Sequence, residues 1–80
     1  MLSAERFNRI RWRCRRGMLE NDIVLSRFLA ARGPAMNEEE VAQLDRLLDL
    51  PDNELWDLLS GRGEPADPTV TPLLAELRGA

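Results

Sequence analysis

The stretch Met36-Asn37-Glu38-Glu39-Glu40-Val41-Ala42-Gln43-Leu44-Asp45-Arg46-Leu47-Leu48-Asp49-Leu50-Pro51 reads as a helix with both ends marked. The side-chain oxygen of Asn37 suits a first-turn amide, and Glu40, three positions on, can answer to the Asn37 amide. Met36 and Val41 flank that pair as an apolar staple. Glu38, Glu39 and Glu40 fall where the positive end of the helix dipole favours acids, so the cluster predicts capping rather than a site. Val41, Leu44, Leu47 and Leu48 keep helical spacing until Pro51, which has no amide to donate, stops it.

Similar signals recur on both sides. Asp52 is expected to cap the next helix, with Leu55, Trp56, Leu58 and Leu59 inside and Gly61 at its end. After a loop over 61–66, a last helix carries Leu73, Leu74 and Leu77. Its start has two candidates, Asp67-Pro68 and Thr71-Pro72, each a cap followed by a first-turn proline. Starting at Asp67 would bury Pro72 too deep for a regular turn. Toward the N-terminus, Gly17 separates a helix over 4–16 from one over 18–31, and suits the left-handed C′ position of the first. Arg13, Arg15 and Arg16 then lie at the negative end of one helix, and Glu20 and Asp22 at the positive start of the next. Leu19, Ile23, Val24, Phe28, Leu29 and Ala31 are expected to supply much of the core. No alternating apolar run predicts a strand. The fold class expected is all-α, a small five-helix bundle, with residues 1–80 forming one domain.

Composition narrows the function. With 80 residues the core is thin. Apolar runs such as Ile23-Val24-Leu25 are far short of the roughly 18 residues of a membrane helix, so a soluble chain without membrane insertion is expected. There is no His, no Tyr and one Cys, Cys14. No Ser-His or Cys-His pair, zinc set, internal disulfide or Gly-rich phosphate loop can be assembled from this inventory. The expectation is a protein that is not an enzyme, with no catalytic or metal-binding residue, acting by binding another protein. Charge is unevenly placed: +5 over residues 1–33 and −8 over residues 34–80, for the net −3. Either a negative partner is steered to the basic end, or the two ends satisfy each other within the fold.

On a helical projection of about 100° per residue, Phe7, Ile10 and Cys14 form the inward stripe of the first helix, and Cys14 reads as core. Arg6, Arg9, Arg13 and Arg16 share a second face. Trp12 lies roughly 170° from the inward stripe, beside Arg9 and Arg16. A tryptophan among arginines has the composition of an interface hot spot; the plainer reading packs it beneath another helix.

The run Trp12-Arg13-Cys14-Arg15-Arg16-Gly17-Met18-Leu19-Glu20-Asn21-Asp22 resembles the signature of the succinate dehydrogenase flavinylation (FAD assembly) factors of bacteria, whose hallmark is Arg-Gly-x-x-Glu, here Arg16, Gly17 and Glu20. The likeness continues through Arg46-Leu47-Leu48, Asp52-x-Glu54-Leu55 and Gly63-x-Pro65, so it spans about residues 6–66. It departs at Leu58, where family members usually carry a second aromatic; Trp56 is a nearby substitute. The resemblance implies a five-helix fold and an assembly factor that binds the flavoprotein subunit of succinate dehydrogenase, or of fumarate reductase. It would promote covalent attachment of FAD to a histidine of that subunit. This chain has no histidine, as suits an assistant rather than an acceptor. The partner-binding set implied is Arg9, Trp12, Arg16, Gly17, Met18 and Glu20: Arg16 on acceptors of the client, Gly17 for close approach, Met18 as an adaptable apolar contact, and Glu20 either on the client or holding Arg16. No stably bound cofactor, no nucleic acid, a monomer when free and a bacterial cytoplasmic location are expected. Two rival readings are an arginine-and-tryptophan nucleic-acid binder, which an acidic pI near 4.9 opposes, and a regulatory adaptor of a membrane or toxin-like protein.

Overall fold

The box drawn from Asn37 and Glu40 is formed in the computed structural model, which describes residues 3–79: the Glu40 amide donates to Asn37 Oδ1 at 2.8 Å and the Asn37 amide to Glu40 Oε1 at 3.0 Å. That amide, with Arg32 behind it, holds the Glu40 carboxyl below the usual carboxylate range. The helix it opens, α3 (Glu38–Leu48), follows α1 (Ala4–Arg13) and α2 (Leu19–Arg32) and precedes α4 (Asp52–Leu59) and α5 (Thr71–Arg78). Five α-helices and no strand among the described residues make an all-α bundle, as the periodicities require.

Both candidate starts of the last helix are used. Asp67 caps a 3-10 turn, Pro68–Val70, accepting from the Thr69 amide, and α5 begins afresh at Thr71 with Pro72 in its first turn. A second 3-10 turn, Gly33–Ala35, carries the chain from α2 toward α3. A Cβ on Gly33 would collide with the ring of Phe7, so glycine there lets α1 settle on this turn.

One apolar cluster joins Ile10 and Cys14 of the N-terminal segment to Leu25 and Phe28 of α2, Leu44 and Leu47 of α3, Leu55 of α4, and Leu73, Leu74 and Leu77 of α5. Met36 and Val41, the expected staple, are both inside it. Leu58 is buried and Trp56 packs half-buried against the cluster, so α4 fills its space without a second enclosed aromatic.

Three expectations need correction. First, α1 ends at Arg13 with Cys14 as its C-cap, not at residue 16. Gly17 does have the left-handed conformation (φ 85°), but it sits in the connection to α2 and not at C′. Gly61 (φ 86°) is the true C′ glycine: its amide donates to Leu58 and that of Arg62 to Asp57, a Schellman closure of α4. Second, Asp52 does not cap α4; it is the first helical residue, behind Pro51, and its carboxylate serves Arg16. Third, Leu19, Ile23 and Ala31 are exposed and Val24 only half-buried, while Asn21, Leu25, Phe28 and Leu29 face in. Helix α2 carries two competing stripes, and Leu19, Ile23 and Ala30 lie roughly opposite Asn21, Leu25 and Phe28. Periodicity alone does not choose between them. Asn21 is fully enclosed; its amide donates to the carbonyl of Asp52 at 3.1 Å, tying the stripe it occupies to α4, while its Oδ1 has no partner among the described residues.

Candidate functional site

The segment from Trp12 to Glu20 forms the corner between α1 and α2, and it sorts its residues into two groups. Arg16 turns inward. Its side chain is 17% exposed. Nε donates to Asp52 Oδ1 at 2.5 Å, Nη1 to the Leu48 carbonyl at 2.6 Å, and Nη2 to the Leu50 carbonyl. Leu48 ends α3 and Asp52 begins α4, so one planar guanidinium closes that turn and satisfies carbonyls the helix end leaves free. Neutral acceptors and a carboxylate around one fixed fork make this a strong polar cluster, with charge-assisted bonds worth about 1.5–3 kcal/mol each.

The backbone beside Arg16 is held too. The Arg16 amide donates to Asp22 Oδ1 at 3.0 Å and the Gly17 amide to Asp22 Oδ2 at 3.3 Å. Asp22, in the first turn of α2, thus orders the connection by bonding as well as complementing the dipole. Gly17 stands at the surface with open space where a Cβ would lie. Met18, half-buried at the N-cap of α2, turns its sulfur toward the Asn21 amide at 3.4 Å. Glu20 is exposed, and Arg16 is bonded to Asp52 instead, so Glu20 does not hold Arg16. The Arg-Gly-x-x-Glu run therefore divides into an inward arginine, a bare glycine and an outward acid.

The arginine face of α1 is largely satisfied within the fold. Arg6 pairs with Glu38, and Arg13 bridges Asp45 and Asp49 of α3 at 2.7 Å each. Bonding to Asp49 first, and then to Asp45, raises the Arg13 pKa further above its ordinary value. Arg13 is thus a strut between helices and not only a dipole complement. The charge asymmetry of the sequence is in good part internal complementarity. Arg9 stays exposed, paired at 3.6 Å with Glu5.

Trp12 is 71% exposed, the reverse of a residue packed under a helix. The Arg15 guanidinium stacks over its ring at 5.6 Å from the centroid, and Arg11 stacks over Phe7 at 5.7 Å. Leu19, 68% exposed, and Ile23 add apolar surface on α2. Sequence reasoning missed Arg11, Arg15, Leu19 and Ile23 as surface features. The signal for the last two was the repeat Leu19-x3-Ile23-x6-Ala30, legible as a second helix face. Cys14 is enclosed, and burial pushes its thiol up to about 12, so it remains a neutral core residue near neutral pH.

An all-helical protein of this size, with an exposed tryptophan, outward arginines and a bare glycine at one corner, has the surface composition of a small helical docking protein. Comparison with known proteins narrows the class. A family model described as "Flavinator of succinate dehydrogenase" matches residues 8–80. The FAD assembly factor SdhE of Ralstonia nicotianae is 45% identical over 74 residues, covering 88% of this chain and 78% of that protein. The factor of the same name from Methylococcus capsulatus is 41% identical, covering 88% and 84%. A solution structure of a UPF0350 protein superposes with a TM-score of 0.76 at 30% identity, over 99% of this chain and 84% of that one. This chain belongs to the family of flavinators of succinate dehydrogenase.

Proposed function

We propose that this protein binds the flavoprotein subunit of succinate dehydrogenase and promotes the covalent attachment of FAD to a histidine of that subunit. The observation that carries the reading is the family match across residues 8–80, with the Arg16-Gly17-x-x-Glu20 run at a corner that exposes Trp12. The flavoprotein subunit of fumarate reductase is a second client of the same chemistry. The work takes place in the bacterial cytoplasm, on a free factor that is monomeric and holds no flavin of its own.

A factor of this kind helps only by binding one conformer of its client better than another. Gly17, Trp12, Met18, Glu20 and Arg9 supply the contact surface in this reading. Arg16 is a positioning residue: its donors are already engaged, and it fixes the turn between α3 and α4 against the connection that carries Gly17. Bond making belongs to the client and its flavin, in keeping with a chain that has no histidine and a buried, neutral thiol.

The test is a deletion strain. The client subunit should be present at near-normal level but show little covalent flavin fluorescence after denaturing electrophoresis. Normal covalent flavin would sink the reading. The purified protein should be colourless, and stoichiometric flavin absorbance would contradict the absence of a bound cofactor.

A further inference from the structure

Helix α1 lies against α3 and the Gly33–Ala35 turn, and between it and α2 a cleft of about 750 Å³ is left open. Its apolar wall includes Phe7, Cys14 and Leu29, and its rim carries Arg11, Arg15 and Ala30. Gly17 lies at its edge, so the cleft is continuous with the motif corner.

The two rim arginines differ from those facing α3. Arg6, Arg13 and Arg16 each pair with a carboxylate of this chain, whereas Arg11 and Arg15 have none within ion-pair range among the described residues. Both are instead stacked over aromatic rings, Phe7 and Trp12. Stacking engages the face of a guanidinium and leaves its edge donors free, already oriented for a planar acceptor. The acid on the cleft wall, Asp22, is bonded to the Arg16 and Gly17 amides. The cleft thus offers an apolar floor beneath a positive rim with unused bidentate donors.

We propose that this cleft seats a segment of the flavoprotein client in which an aliphatic side chain stands next to an Asp or Glu. The aliphatic group enters against Phe7 and Leu29, and the carboxylate is forked by Arg11 or Arg15. The inference rests on the functional reading above and names the chemistry of the client that this surface recognises. Charge complementarity decides the occupant: a basic or purely polar segment would leave the stacked guanidinium edges unpaired or repelled.

The experiment places a photo-crosslinking benzoylphenylalanine at Ser26, an exposed cleft residue, and a control at Arg46 on α3. Tagged protein is irradiated in cells that express the client, and the joined peptide is sequenced by mass spectrometry. The expected product joins Ser26 to a client peptide with an acid beside an aliphatic residue. In parallel, the double variant Arg11→Glu/Arg15→Glu should capture the client about tenfold less well, or worse, while keeping its circular dichroism. A crosslink to a second copy of this chain, to nucleic acid or to a client segment without an acid overturns the inference, as does undiminished capture by the double variant. Failure of the unaltered chain to capture any flavoprotein subunit overturns the functional reading and this inference together.

Discussion

Helices α1 and α5 are of similar length and are attached to the bundle by different forces. The α5 segment is fixed mainly by apolar burial, with the Glu76–Arg32 pair at its edge: Val70 just before it, then Leu73, Leu74 and Leu77, are all within 3% of full enclosure. Helix α1 encloses only Ile10, with Cys14 behind it, and is joined to α3 by the pairs of Arg6 and Arg13 with Glu38, Asp45 and Asp49. Burying a leucine stabilises by about 1.5–3 kcal/mol, whereas an exposed ion pair contributes roughly 0–1 kcal/mol and weakens with salt. The end of the molecule carrying the family motif is thus its lightly held end, kept in register by charge and by the single guanidinium of Arg16. That suits a surface that has to fit a client.

The largest test of this contrast falls on α5. Leu74→Ala should lower unfolding free energy by about 2–5 kcal/mol in a urea titration, through lost transfer energy and the cavity left behind. In a thin core that is a large share of the available stability. A loss below 1 kcal/mol would contradict the apolar account of this end.

Arg16 should come next. Arg16→Ala leaves the Leu48 and Leu50 carbonyls and the Asp52 carboxylate without their donor and should cost about 1–3 kcal/mol. Arg16→Lys should recover only part of that, because one ammonium cannot reproduce a planar fork on three acceptors. If Arg16→Ala melts like the unaltered protein but no longer captures the client, Arg16 acts by direct contact and its positioning role is wrong.

Gly17 is part of the motif without being part of the packing. Gly17→Ala should cost about 1 kcal/mol, the penalty for a Cβ in a left-handed conformation. Among the described residues nothing lies within 4 Å of that Cβ, so even Gly17→Arg should fold, and it should lose client capture by steric exclusion at the corner. A folded Gly17→Arg protein that still captures its client would move the docking surface elsewhere.

The smallest effect belongs to the charged seam. Arg13→Ala should cost about 0.5–1 kcal/mol in low salt, the strut role giving it more weight than a dipole complement alone. The difference from the unaltered protein should shrink in about 1 M sodium chloride, where screening acts within roughly 3 Å. A salt-independent loss of the same size would mean that Arg13 acts through packing of its stem and not through Asp45 and Asp49.

Local signals wrote much of the fold into the chain. Asn37 with Glu40, Gly61 after Leu59, and the proline pairs near 68 and 72 each specify a helix end through bonds that close within a few residues. Such bonds form wherever the chain goes, so sequence suffices to read them. The motif corner was legible in the same way as a run of residues, and so was the outward position of Trp12 on the α1 projection. What the sequence left open were choices between alternatives of nearly equal local energy. Helix α2 had two apolar stripes, and the one bearing Asn21 went inside because Asp52 and α5 were there to meet it. Arg16 looked free for a partner until α3 and α4 brought the carbonyls of Leu48 and Leu50 and the Asp52 carboxylate to it across more than thirty residues. The same long-range packing turned a charge asymmetry into a seam between α1 and α3. It left Arg11 and Arg15 as the rim of an open cleft because no acid of this chain folds back to meet them among the described residues.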